Sequence, residues 1–419
     1  MTIAIFRSLI MRWAVVPALA VVIPLATAAA PAGAASYVAI SGSGSSWASV
    51  AIDQWAQAVR PRGIVVNFNP DGSAAGRGDY MANQDDYTAS DPPFRSRPDQ
   101  LCGCGPEHPT QGYSYIPDVA GGTAFPYHIT VHGHLVTNLR LSARTLMGIF
   151  TGKITNWDSP QITRDYGHRL PDLPITPVIH SEGDGGTYFF TRWMAHVFPR
   201  QWNAYCERVH PGIKPPCGPT EFYPQSGNAK GENGSNNVMA YITSTSGNGS
   251  IGFVEYSYAL NAHFPVVQLR NPAGKYVLPT AANVTTALTR AVINEDAHSR
   301  NFLQQNLNRV YTYANPDSYP LASYSYLIVP REGTRLPANF TKAKGRTLSA
   351  FVTFALCTGQ RSLNQLGYAP LPPALVSGRA GGALPGRARP RGPWRSVAGS
   401  PHQFEELVGL ADGRLVIET

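Results

Sequence analysis

YVAISGSGSSWASVAIDQWAQAVRPRGIVVNFNPDGSAAGRG, residues 37–78, is the stretch on which the architecture turns. Tyr37–Ile40 alternates like a short strand, and Gly42–Ser46 follows as a small-residue loop. From about Trp47 to Val59, Ile52, Trp55, Ala56 and Val59 share one helical face. Ser45 or Ser46 is a natural N-cap for that helix. Ile64–Phe68 reads as a β-branched strand, and Asp71–Gly78 as a second small-residue loop. Strand, loop, helix, strand, loop is the rhythm of an α/β sheet with loops at its strand ends. Such loops offer backbone N–H groups at helix N-termini, where anions bind.

Further along, the pattern recurs. Thr123–Val131 reads as a strand leading to a hairpin tip near Gly133, Ser142–Phe150 as a helix and Ile175–His180 as a strand. Glu182–Thr187 reads as a loop before a helix at Tyr188–Val197. A Gly/Asn-rich stretch, Ser226–Asn237, precedes a short helix, and Gly252–Tyr256 reads as a strand. Ser323–Val329 alternates as a strand, and Thr347–Leu356 forms an apolar helix.

The 419 residues carry 34 Lys+Arg against 26 Asp+Glu, yet charged residues are only 14% of the chain. That density is too low for a nucleic-acid binder. Residues 1–35 have basic Arg7 and Arg12, a charge-free apolar run and Ala32-Gly33-Ala34, the pattern of a cleavable export signal. No Cys stands near the cleavage site, so a lipid anchor is not expected. An exported chain meets an oxidising compartment, where Cys206 and Cys217 are placed to bridge across a Pro/Gly-rich loop. Cys102 and Cys104 are too close in sequence to bridge comfortably. One of them is left to reach Cys357, with one odd thiol over. The Gly/Ala/Arg/Pro-rich composition of 377–419 reads as a flexible basic tail.

Enzyme signatures are missing. Gly42-x-Gly44 ends in a bulky Trp47 where a dinucleotide fingerprint needs a third Gly. No nucleophile elbow is present, and His132-Gly133-His134 looks like a solvated turn. No cofactor and no metal site is expected.

The loops together resemble the phosphate-binding proteins of ABC-type phosphate importers. Ile40–Trp47 (ISGSGSSW) resembles the family's ITGAGATF, Gly72–Gly76 (GSAAG) its GSSGG, and Thr88–Asp91 (TASD) its GASD. Ile149–Trp157 (IFTGKITNW) resembles IYxGKIxxW, and Ile251–Ala259 (IGFVEYSYA) is close to IGYVEYAYA. The order holds from about residue 37 to 375. The resemblance implies an α/β, two-lobed periplasmic-binding-protein-like (type II) fold with two crossovers and a ligand cleft between the lobes. Residues 36–123 and 262–376 would form lobe 1, and 124–261 lobe 2. It implies a monomeric, secreted solute-binding protein without enzyme activity, taking inorganic phosphate or a related oxyanion to an ABC permease.

On the same resemblance, Ser45, Ser46, Trp47, Ser73 and Asp91 would bind ligand from the first lobe, and the His180–Thr187 loop from the second. Asp91 would accept the proton of hydrogen phosphate, which sulfate lacks. The second loop departs from the family's RSDGSG(D)T. His180 stands for the ligand-binding Arg, Glu182 for the Asp that orients it, and Asp184 for a hydroxyl donor, ahead of Gly185 and Thr187. Losing an Arg–phosphate pair costs about 1.5–3 kcal/mol. An ionised carboxylate about 5 Å from a dianion adds repulsion of roughly 6 kcal/mol before relaxation. Two orientations of Asp184 are therefore open: inward against the ligand, or turned to solvent or to cap the helix near Thr187. A protonated His180 would replace the guanidinium, giving tighter binding below about pH 6.5. The alternative is an envelope interaction or sensory protein that has lost phosphate.

Overall fold

The computed structural model describes residues 37–371, apart from 295, 297, 300–303, 332 and 333. The expected export signal and basic tail lie outside the described residues. Chain order is β1 (Ile40–Gly44), α1 (Ser49–Val59), β2 (Val66–Asn69), α2 (Ser73–Met81), β3 (Tyr87–Ser90) and the long β4 (Tyr113–Ala124). The hairpin β5 (Thr130–Val131) and β6 (His134–Leu135) follows, then β7 (Arg140–Ser142), α3 (Ala143–Phe150), α4 (Pro160–Tyr166) and β8 (Thr176–His180). Next come α5 (Gly185–Val197), α6 (Pro199–Val209), β9 (Lys230–Glu232), α7 (Gly234–Thr243), β10 (Ser250–Gly252), β11 (Val254–Glu255) and α8 (Tyr256–Asn261). Last are β12 (Gln268–Arg270), β13 (Tyr276–Val277), α9 (Ala281–Leu288), β14 (Val292–Ile293), β15 (Gln305–Asn306), α10 (Asn308–Tyr311), β16 (Ala322–Pro330), α11 (Lys342–Leu356) and α12 (Leu363–Leu366).

The first lobe is built on a six-stranded sheet of order β11-β4-β16-β3-β1-β2. β1 is parallel to β2 and β3, while β16 runs antiparallel to both β3 and β4. Every residue of β16 is buried, as a strand covered on both faces requires. α1 lays Ile52, Trp55 and Val59 on the sheet, the face its periodicity predicts. The second lobe holds the parallel sheet β10-β8-β9 and the small sheet β13-β12-β7. Its core is aromatic: Phe190 stands 5.1 Å from Phe125, 5.0 Å from Phe150 and 5.2 Å from Phe253, centroid to centroid. The first two pairs are edge-to-face, an arrangement that adds about 0.5–1.5 kcal/mol each beyond area burial.

Several expectations need correction. The opening strand runs through Gly44 rather than ending at Ile40, because Gly42 and Gly44 lie flat beneath Tyr87 and Ala89. A Cβ on Gly44, at φ +128°, would stand 2.0 Å from the Ala89 carbonyl oxygen. The Asp71–Gly78 loop is mostly helix: α2 begins at Ser73, and Gly76 lets its backbone close on Gly44. Ser45 and Ser46 are not the N-cap of α1, which Ala48 occupies; Ser45 Oγ instead accepts from Ala48 N at 3.0 Å, capping the turn before the helix. Gly252–Tyr256 is not one strand. β10 joins the second-lobe sheet, β11 joins the first, and the chain crosses between lobes at Phe253. Sheet membership therefore departs from the expected limit at 261/262, since β11 already lies in the first sheet and β12 pairs with β7. Cys206 and Cys217 are bonded, as expected. Cys102 and Cys104 are bonded to each other, correcting the proposed reach to Cys357, which is free. The turn through Gly103 at φ +67° brings their Cα atoms to 5.2 Å, within bridging range.

Candidate functional site

Loops leaving β1, β3 and β8 meet the starts of α2, α5 and α7 at one place, the carboxyl-end location where open α/β sheets bind ligands. Asp91, just past β3 and 1% exposed, is the centre. Ser45 Oγ donates to both of its oxygens, at 2.9 and 2.8 Å. Ser73 Oγ, at the first turn of α2, donates to Asp91 Oδ2 at 3.2 Å, and Asp91 N donates back to that hydroxyl at 3.2 Å. Across the junction the carboxyl packs on Gly185, the first residue of α5: a Cβ there would stand 1.8 Å from Asp91 Oδ2. Only glycine fits that contact.

Ser46 Oγ lies 3.1 Å from the Ser235 hydroxyl at the start of α7, a second contact between lobes. The Tyr258 and Tyr368 hydroxyls donate to the carbonyls of Ser46 and Trp47 at 2.5 and 2.7 Å. The Trp47 ring is buried edge-on to Phe189 and beside Gly186. Its Nε1–H has no hydrogen-bond partner among the described residues. The Thr187 hydroxyl is likewise buried, with no hydrogen bond of good geometry.

Asp184 takes the capping orientation rather than facing solvent. Its Oδ2 accepts from Thr187 N at 2.6 Å as N-cap of α5, and its side chain is 1% exposed. His180 is also buried. Its Nε2 lies 3.1 Å from the Phe253 carbonyl oxygen, and its Nδ1 lies 2.8 Å from Glu182 Oε1. Both ring nitrogens are thus turned to protein acceptors, so His180 cannot reach a ligand as a guanidinium would. It acts instead as a buried charge beside Asp184, whose Oδ1 is 3.7 Å from Nδ1. Glu182 Oε1 accepts in addition from Gly234 N at 2.9 Å.

Burial pushes Asp91 up to about 7, with Asp184 adding to the rise against the Ser325, Ser45 and Ser73 hydroxyls. Burial also raises Asp184, partly offset by His180. Burial alone would lower His180, but Asp184, Glu182 and the Phe253 carbonyl outweigh it and lift the ring to about 9. The ring therefore stays charged well above the pH 6.5 at which a binding switch was expected. Glu182 is held below the usual range: burial opposes this, and the His180 hydrogen bond and charge prevail.

A further cross-lobe contact escaped the sequence reading. Arg77 of α2 is fully buried and forked onto two carboxylates, Glu107 at 2.8 and 3.0 Å and Glu221 at 2.9 and 2.6 Å. Glu221 belongs to the second lobe, where its carbonyl accepts from Asp184 N at 2.9 Å. Ala74 N donates to the Gly183 carbonyl at 3.0 Å beside it. Arg77 was hidden in a stretch read as loop. Ser235 could have been found, since Gly234-Ser235 follows a Gly/Asn-rich stretch and opens a helix. His132 and His134 are exposed at the β5–β6 hairpin tip, as expected of turn residues.

The phosphate-binding protein PstS of Xylella fastidiosa (strain Temecula1 / ATCC 700964) is 29% identical over 344 residues, covering 81% of this chain and 83% of that protein. Phosphate-binding protein PstS 2 of Mycobacterium tuberculosis is 28% identical over 316 residues, 74% of this chain and 76% of its own. Among solved structures, a high-affinity periplasmic phosphate-binding protein (PfluDING) bound with phosphate superposes with TM-score 0.58 at 19% identity, covering 81% of this chain and 92% of that one. The phosphate-binding protein of Stenotrophomonas maltophilia gives TM-score 0.56 at 17% identity, with the same coverage. The PBP superfamily domain matches residues 27–358. That span takes in both lobes and Ser45 through Ser235 of the junction, and on it the chain is a member of the PBP superfamily.

Proposed function

We propose that the chain is an exported, monomeric solute-binding protein for inorganic phosphate or a related oxyanion, serving an ABC-type permease without chemistry of its own. The observation that carries this reading is the buried Asp91 carboxyl at the meeting of three helix starts, ringed by the hydroxyls of Ser45 and Ser73. Ser46, Trp47, Ser73, Gly185 and Thr187 would bind the oxyanion through hydroxyl or N–H groups, and the Trp47 and Thr187 donors are unspent. Asp91 would accept the ligand's proton. Donors fixed in a water-poor cleft bind a charged oxygen far more strongly than they would in water. His180, charged between Glu182 and Asp184, offsets the carboxylates that would otherwise repel the anion. The names of the relatives support the same ligand.

Calorimetric titration of the purified mature chain with phosphate and with sulfate is the test. Phosphate should bind at least about a hundredfold tighter than sulfate, and Asp91→Asn should shrink that ratio, because the acceptor that discriminates is lost. No heat and no thermal shift with millimolar phosphate or arsenate would overturn it. That result would favour the second reading, an envelope interaction or sensory protein, for which the turning of both His180 nitrogens to protein acceptors speaks.

A further inference from the structure

We propose that His180, Glu182 and Asp184 form a chelating site for one divalent transition-metal ion of the zinc class. The three side chains stand at alternate positions from the last residue of β8 to the N-cap of α5, and each offers a ligand atom, all within 4.8 Å of one another. Nδ1 of His180 is 2.8 Å from Glu182 Oε1 and 3.7 Å from Asp184 Oδ1. Tetrahedral zinc with bonds of about 2.0–2.1 Å sets its ligands about 3.3 Å apart, between those two separations.

The surroundings are those of a chelator. His180 Nε2 meets the Phe253 carbonyl oxygen, an acceptor that keeps a proton on Nε2, so the proton that Nδ1 shares with Glu182 is the one an incoming cation displaces to solvent. Glu182 is fixed by Gly234 N, and Asp184 by Thr187 N, so both carboxylates are oriented by backbone donors. Glu182 is nine-tenths buried, and its Oε2 has no hydrogen-bond partner among the described residues. That oxygen can take a cation without giving up a hydrogen bond. A neutral imidazole and two carboxylates carry two negative charges, matching a divalent ion. Bound there, the ion takes over the charge that the protonated ring supplies in its absence. Three protein ligands leave a fourth position for water or an anion oxygen. The last point alone rests on the phosphate reading, where the ion would stand in for the guanidinium that His180 replaces.

The test is a zinc titration of the full mature chain after chelator treatment and removal of the chelator, with no phosphate present. One ion per chain should bind with Kd below about 1 µM, and Co2+ should develop the visible absorption of a four-coordinate site. His180→Ala and Glu182→Gln each remove a direct ligand and should weaken zinc by at least about 100-fold, beyond the loss of an outer-shell partner. Asp184→Asn, which keeps the helix cap, serves as a third variant should either of the others melt early. No saturable binding up to 100-fold above that concentration overturns the proposal, as does stoichiometric binding untouched in all three folded variants. Phosphate titrations of the same metal-free and zinc-loaded samples read the other conclusion separately. Zinc bound with phosphate refused in both states would sink the phosphate reading and leave the metal site standing; phosphate bound with zinc refused would do the reverse.

Discussion

Replacing Glu221 by Gln should loosen the closed form more than it loosens the fold. In the structure Glu221 is the second-lobe partner of Arg77, joined by two hydrogen bonds of 2.9 and 2.6 Å. Unit charges about 4 Å apart at an effective dielectric near 20 attract by about 4 kcal/mol. Relief of Glu221 desolvation and the hydrogen bond that Gln retains return part of this, leaving a net loss of about 2–3 kcal/mol. Arg77 and Glu221 stand on opposite lobes, so on the clamshell reading that loss should fall on the closed-to-open ratio. Where the open form dominates without ligand, it appears in full in the ligand Kd, weakening binding about 30- to 150-fold. Glu107 lies in the same lobe as Arg77, so Glu107→Gln should lower Tm yet leave Kd unchanged or tighter. Phosphate calorimetry and melting curves on the two variants make the comparison. A Glu221→Gln Kd within threefold of the parent, together with a lowered Tm, would refute a latch and leave only a structural ion pair.

Gly185→Ala should cost at least about tenfold in phosphate affinity with secondary structure intact by circular dichroism, since its Cβ would displace Asp91 from Ser45 and Ser73; unchanged affinity would show that Asp91 is not needed in that position. Glu255 is fully buried, and burial lifts it to about 8. The folded chain therefore keeps a proton that the unfolded chain releases above about 4.5, so stability should fall as pH climbs from about 4.5 to about 8. Glu255→Gln should flatten that slope in denaturant melts between pH 5 and pH 8, and an equal slope in both proteins contradicts the assignment. Cys206→Ser opens a loop of 11-residue separation and should cost about 3 kcal/mol, or about 5 °C in Tm under oxidising conditions. A Tm equal to the parent's would show the bridge contributes nothing.

The α/β rhythm was legible because Ile52, Trp55 and Val59 on α1 follow a helical period, while β16 is a strand as expected but buried on both faces rather than alternating. Small-residue segments were not. Ser73–Met81 carries Gly76 and Gly78, poor helix formers, yet packing on Gly44 overrides propensity and makes it a helix. Propensity rules misplace Arg77 for the same reason. At the junction, Asp91, Ser73 and Gly185 were picked out by their neighbours in sequence, while Ser235 and Glu221 come from distant segments that only the lobe contact brings in. His180 was identified as the odd residue of its loop. Its partner, the Phe253 carbonyl, lies 73 positions away and leaves no mark in local sequence.

Phe253 itself sets how the two halves can part. Gly252 is locked into one ladder and Val254 into the other, so the pivot on this strand is one residue long. Its ring is wedged against Phe190 and Phe150. Those partners, like His180 and Tyr223 beside them, all belong to the second lobe, so the ring anchors the pivot to that half and leaves the turn to the backbone on either side of Phe253.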